Sequence, residues 1–276
     1  MQTLRSLAWW LIGLTTLATF LIVMILSDLL RGQFWNVPSR TIVIVYGCLV
    51  FGLVNRIAIL RLGETLIHEI GHAQMVALTF GKVKYIRVER DTSGVTYHSQ
   101  GFLLKRFSAA LISLFGPISS AVFFLITARF VASELTAYWA IGMAIFIALI
   151  LLTTVRNLWG WITGVVILSL LYLVLEATGY LVPQLLSPAS LVSSNSILVE
   201  AILGVTAFNF GSGLKYSFAV RKAVNPHSDE FKFSKALFLP PFLGARLIIL
   251  LQLILGWLAI SYLLGWPSIF QVGRVI

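Results

Sequence analysis

The residues of this 276-residue chain best equipped for chemistry lie in one short stretch, Thr65-Leu66-Ile67-His68-Glu69-Ile70-Gly71-His72-Ala73. It contains an H-E-x-x-H pattern. On a helix, residues four apart are separated by about 40° around the axis, so His68 and His72 project from one face. Two neutral imidazoles so placed can bind one Zn²⁺ and leave room for a third ligand and a water. Glu69 flanks that face and can take a proton from a water that zinc has acidified. Two ligands and a base form the core of a metal-dependent hydrolase. With only 4 His in the chain, chance would assemble this pattern roughly once in a thousand such sequences.

A third ligand must come from elsewhere. The single cysteine, Cys48, excludes an intramolecular disulfide and a Cys-rich metal site, so zinc needs His or carboxylate ligands. Outside the motif the candidates are His98, His227, Asp229 and Glu230. His227 and Asp229 are two apart, and in an extended segment both would face the same way. Asp28, Glu134, Glu176 and Glu200 lie near span ends or outside any motif, where a cation or water is the ordinary partner. Glu64, one turn before His68, is either a carboxylate that orients that imidazole or a helix-start charge facing water.

The elements that position these groups are apolar. A hydrophobic content of 59% and a charged content of 11%, with a mean hydropathy of +0.95, exclude an ordinary soluble domain. Apolar runs of spanning length recur at residues 4–26, 41–60, 107–128, 137–155, 158–181, 197–218 and 243–265, and the motif helix occupies 62–80. The expected fold is an all-α polytopic membrane protein of about eight transmembrane helices, one domain over 1–276. The first run lacks a small-x-small cleavage site and reads as an uncleaved span. Gly116-Pro117 interrupts the fourth span, where a kink is expected to form a cavity wall. Gly204, Gly211 and Gly213 allow close helix approach, and Asn209 among them is placed to hydrogen-bond across helices.

Two polar segments break the pattern. Residues 82–98 alternate polar and apolar around Asp91-Thr92-Ser93-Gly94, the signature of a small β-hairpin directly after the motif helix. The alternation slips at Tyr85-Ile86, as at a bulge. An exposed strand edge there can hold an extended substrate by adding a strand; a plain connector is the other use of such a hairpin. The second segment is the loop at about 221–242, which carries His227, Asp229 and Glu230.

The net charge of +10 is no nucleic-acid footprint, because the cations sit mostly in loops between spans, where they set topology and meet anionic headgroups. One set of loops holds Arg31, Arg40, Arg156, the cations from Lys82 to Arg106 and those from Lys215 to Arg246, most of the 20 in the chain. Positive-inside logic puts that set in the cytoplasm, with both termini outside.

In this order the pieces resemble the M50 family of membrane-embedded zinc metalloproteases, the site-2 protease class, and especially its M50B-like branch. Matching pieces are Thr65–Ala73 (TLIHEIGHA), Asp91–Tyr97 (DTSGVTY), Gly116-Pro117, Arg156–Gly160 (RNLWG), Ser228-Asp229 and Leu239-Pro240, within about residues 60 to 246. The resemblance implies that His68 and His72 bind zinc, that Glu69 is the catalytic base and that Asp229 is the third ligand. One departure is plain: the class usually carries Leu-Asp-Gly after an Asn-Pro pair, and here Asn225-Pro226 leads into His227-Ser228-Asp229-Glu230. The implied activity is hydrolysis of a membrane protein or peptide within the bilayer, in a multi-pass protein of the plasma (inner) membrane. The alternatives are a catalytically inactive M50-like scaffold or assembly factor, and a metal transporter. A transporter would spread polar groups over several spans, whereas here they concentrate at the motif and one loop.

Overall fold

The structure, a computed structural model, describes residues 39–54, 61–99, 105–132, 136–177, 196–220 and 225–264. In chain order these form α1 (Ser39–Val54), α2 (Leu62–Leu78), β1 (Lys82–Val88), β2 (Gly94–Ser99), α3 (Lys105–Ala132) and α4 (Thr136–Thr153). There follow α5 (Leu158–Ala177), α6 (Ser196–Val220), α7 (Asp229–Ala236) and α8 (Pro241–Leu263). The chain is therefore mostly helical with one two-stranded antiparallel sheet. The expected span at 4–26, the loop 31–38, the junction at Asn55-Arg56, residues 183–195, Asp28, Glu134 and the side chain of Glu176 lie outside the described residues.

Two of these helices are long and apolar enough to cross a membrane, at Lys105–Val131 and Pro241–Leu263; the apolar parts of α1, α4 and α5 are shorter. Eight spans are thus not what the described helices establish. Apolar side chains cover nearly the whole circumference of α2: Leu62, Leu66, Ile67, Ile70, Ala73, Met75 and Val76 are all buried. Such a helix belongs in the interior. It touches α3, α5, α6 and both strands. Gly71 makes the α3 contact possible, since a Cβ there would lie 2.5 Å from Phe115 O and 2.7 Å from Ser119 Cβ.

Close approach recurs between α1 and α6, where a side chain on Gly52 would run into Phe208 O and one on Gly211 into Leu49 O. Around that contact Val45, Leu49, Phe124, Leu203, Phe210 and Ile249 form a core shared by α1, α3, α6 and α8. A second core joins Leu66 and Ile70 of α2 to Ile86 and Val88 of β1 and to Ile147 and Leu151 of α4. The hairpin is thereby fastened to the motif helix on its inner face. Its turn is an Asx turn: Ser93 N donates to Asp91 Oδ1 at 2.9 Å, and Thr92 adopts a left-handed φ of 68°. The register shift falls between Val83 and Tyr85, at Lys84 rather than at Tyr85-Ile86.

The last polar segment departs most from expectation. It is not extended: Ser228 caps α7, its hydroxyl accepting from Phe231 N at 3.3 Å, and Asp229 and Glu230 occupy the first turn. Ser-Asp-Glu is a good helix start, because the cap satisfies an orphan N–H and acids complement the positive end of the helix dipole. α7 packs Phe233 against Ala110 of α3 and Ile248 of α8.

Candidate active site

His68 and His72 face one cavity from α2, and α7 aims Asp229 at them. Asp229 Oδ2 lies 3.0 Å from His68 Nε2 and 3.1 Å from His72 Nε2, and the two imidazole nitrogens are 3.1 Å apart. This nearly equilateral triangle can be tested against zinc. Tetrahedral zinc with bonds of about 2.0–2.1 Å holds its ligand atoms about 3.3–3.4 Å apart, so the three atoms fit after opening by a few tenths of an ångström. Zinc-ligand atoms on His68, Glu69 and His72 also cluster within 4.8 Å of one another. Asp229 is the better third donor, because Thr96 already holds Glu69: its hydroxyl donates to Glu69 Oε2 at 2.6 Å. Among the described residues Glu69 Oε1 has no such bond.

The surroundings fix each donor. His72 Nδ1 donates to Ile112 O at 2.6 Å, which sets the tautomer and turns the Nε2 lone pair toward the triangle. Pro117 lies in the same continuous helix as Ile112, where its missing N–H leaves the Ser113 carbonyl without its helical donor. Gln252 of α8 braces the same place, donating from Nε2 to Pro117 O at 2.6 Å. Gly116 is a steric necessity, since any Cβ there would overlap the His72 ring and come within 2.9 Å of His68 Nε2. On the opposite side Gly94 lies against Glu69; a Cβ would sit 2.7 Å from Glu69 Oε1.

Burial works against a charge on Asp229, but the two imidazoles outweigh it and hold the carboxyl well below its usual range. It therefore remains an anionic donor. Glu230, its neighbour, is 3% exposed and neither carboxyl oxygen has a hydrogen-bond partner among the described residues; burial pushes its carboxyl up. Among the described residues no hydrogen bond joins Glu230 to His68 or His72, both of which meet Asp229.

The remaining sequence candidates separate. His227 lines the same cavity but is exposed in the turn before α7, with its backbone N–H bonded to Asn225 Oδ1. His98 follows Thr96 by two on β2, lines the cavity and leaves Nδ1 buried without a hydrogen-bond partner among the described residues, outside the triangle. Burial and then His72 hold it below the ordinary histidine range, so it is neutral at neutral pH. Glu64 lines the cavity as well; no hydrogen bond joins it to His68. Glu200 instead accepts from Thr41 Oγ1 at 3.1 Å. Asn209 is buried against Gly63 of α2, its Oδ1 3.6 Å from where a Cβ would be.

Three contributors were hidden in the sequence. Thr96 sits inside the quoted DTSGVTY run without anything in its type to mark it as the partner of Glu69. The Ile112 carbonyl has no side-chain signature. Asn157 acts as a false strand: its Oδ1 accepts from Val88 N at 3.2 Å and its Nδ2 donates to Val88 O at 2.5 Å. Ile86 N and O meanwhile bond Thr154 O and Arg156 N. The outer edge of β1 is thus closed, and among the described residues the free edge of the hairpin belongs to β2. Thr96 and Ile112 border, with the histidines, Glu69 and Asp229, a cavity of about 1160 Å³ that also receives Tyr216 from α6 and Phe238 from just past α7.

Two histidines, a carboxylate and a tethered glutamate at the floor of a large cavity, in a chain with span-length apolar helices, define a membrane metallopeptidase type of site. Comparison with protein families agrees: residues 39–259 match the Peptidase M50B-like family, and the chain belongs to it. M50 proteins are membrane proteins of the zinc metalloprotease type, and the family includes inactive members. No curated protein and no solved structure matches the chain.

Proposed function

We propose that this protein is an intramembrane zinc metalloprotease that cuts membrane-associated proteins, with zinc held by His68, His72 and Asp229 and with Glu69 as the base. The observation that carries it is the triangle of donors with a separately tethered carboxylate beside it. When bound, zinc supplies Lewis acidity that lowers the pKa of a water and polarises a peptide carbonyl. Glu69, held through Oε2 by Thr96, keeps Oε1 free to take a proton from the attacking water and deliver it to the departing amide nitrogen. The free edge of β2 presents backbone groups to an extended peptide, which aligns the bond to be cut beside Glu69. The side chains of His68 and Asp229 are 16% and 17% exposed, so the floor of the cavity admits water. Unpaired backbone is costly in hydrocarbon, and a wet, protein-lined chamber is where an unwound substrate helix can be accommodated.

The experiment is a comparison of membrane proteomes from cells carrying wild type and Glu69→Gln. Glu69→Gln should leave one protein or a few accumulating at full length, with the shortened forms present only in wild type. Identical proteomes, with both variants inserted and zinc-loaded, would count for a scaffold and against proteolysis.

A further inference from the structure

The walls of the cavity differ in charge. Lys105 and Arg106 at the start of α3, and Lys232 and Lys235 on one face of α7, all line it and are all exposed. The acids Glu64, Glu69, Asp91 and Asp229 also line it, from the motif helix, the hairpin turn and the first turn of α7, as does Arg61 at the start of the motif helix. Of the four exposed cations, Lys232 alone forms an ion pair among the described residues, its Nζ 3.7 Å from Asp229 Oδ1. Lys105 and Lys235 form no ion pair among the described residues. Arg106 is fixed differently, its guanidinium carbon 4.4 Å from the centre of the Phe238 ring. Phe238 holds that position at a backbone cost: it ends α7 with φ 58°, in the left-handed region that helix ends usually fill with glycine. The sequence thus accepts strain where it places an aromatic under a cavity arginine.

β2 contributes Gly94, Val95, Thr96 and His98 to the same cavity. A peptide lying along the free edge of β2 shares the cavity with the four cations. We infer that this basic wall is a specificity subsite for carboxylate side chains, so that the cavity takes peptides carrying Asp or Glu close to the bond to be cut. This rests on the proteolytic reading of the site. Anionic lipid headgroups are the competing occupant, but exposed cations outside the cavity, among them Lys82, Lys84, Arg90, Arg156 and Arg246, are available to them.

The test uses the full chain as zinc-loaded Glu69→Gln protein in phosphatidylcholine nanodiscs. Two dye-labelled decapeptides, identical except that four Glu in one are Gln in the other, are titrated by fluorescence anisotropy. The Glu peptide should bind about tenfold tighter at low salt, with the ratio falling toward one near 0.5 M salt as screening sets in. Adding Lys105→Gln, Arg106→Gln and Lys235→Gln together should bring the ratio close to one with zinc content unchanged. Equal binding of the two peptides, binding of neither, or a preference that survives the triple substitution would overturn the inference. Phosphatidylglycerol nanodiscs complete it: a retained preference supports the subsite, and its collapse assigns the wall to headgroups and overturns it. Hydrolysis of both peptides by wild-type protein reports separately on proteolysis. Cleavage without preference removes the subsite and keeps the protease; preference without cleavage of either does the reverse.

Discussion

Glu69 is held from two directions, by Thr96 on its oxygen and by Gly94 against its methylene, and this clamp makes specific demands on single residues. Thr96→Val keeps the shape and removes the hydroxyl, so it should lower hydrolysis about 10–100-fold, the usual scale for an outer partner of a metal site, with zinc affinity unchanged. Steady-state kinetics beside zinc titration checks this; a parallel loss of zinc would place Thr96 in the metal's support instead. Gly116→Ala should do the opposite. Its methyl would displace the His72 imidazole, so zinc binding should be lost while the helices still form, as seen by metal analysis together with circular dichroism. For the third ligand, Asp229→Ala should lower zinc affinity sharply, and Glu230→Ala should leave it nearly unchanged. Normal zinc binding by Asp229→Ala with loss in His227→Ala would move the ligand to His227.

At the scale of elements, the hairpin depends on a residue far away in sequence. Asn157 fills the outer edge of β1 at Val88, so Asn157→Leu leaves a part-buried backbone N–H and C=O without partners, at a local cost of about 1–3 kcal/mol. Hydrogen exchange should then speed up across β1 and β2 while α2 and α3 stay protected; unchanged exchange at Val88 would show that the clamp is dispensable. The hairpin itself was legible, since period-two alternation around Asp-Thr-Ser-Gly admits few other folds, although the bulge lies at Lys84 and not at Tyr85. α7 was not read, because a charged segment of eight residues carries no apolar stripe long enough to register as a helix. The Ser228 cap and its two following acids were the available signal. Missing that helix also left His227 and Asp229 on one extended face, whereas the cap turns Asp229 inward and leaves His227 in the exposed turn. The two motif histidines were plain because four-residue spacing is local; the contacts of Thr96, Ile112 and Asn157 are long-range and have no such periodic trace.

At the scale of the whole molecule, charge and span length determine how the chain would sit in a bilayer. α7 packs against both α3 and α8, Phe233 meeting Ala110 and Ile248 in their N-terminal halves. Lys105, Arg106, Lys232, Lys235 and Arg246 collect at that end, which the positive-inside tendency places in the cytoplasm. The orientation is checked with Cys48 replaced and single cysteines introduced at Ser99 or Ser194. An impermeant thiol reagent on intact cells should label Ser194→Cys alone, and labelling of Ser99→Cys would reverse the molecule. The apolar exposed faces of α4 and α5, including Ile145, Leu149, Leu152, Val165 and Val166, fit lipid better than water.

Peptide hydrolysis by a zinc-loaded chain through Glu69 is tested most directly in a purified, bilayer-reconstituted system. Wild type and Glu69→Gln, each carrying about one zinc per chain, are given the same membrane-spanning peptide and the cut product is quantified by mass spectrometry. Removal of a general base from a preformed metal site should lower the rate about 10²–10⁴-fold with zinc content equal in the two proteins. Equal cleavage by both proteins, or loss of zinc from a folded Glu69→Gln, would contradict the assignment of Glu69 as base and of His68, His72 and Asp229 as the metal's holders.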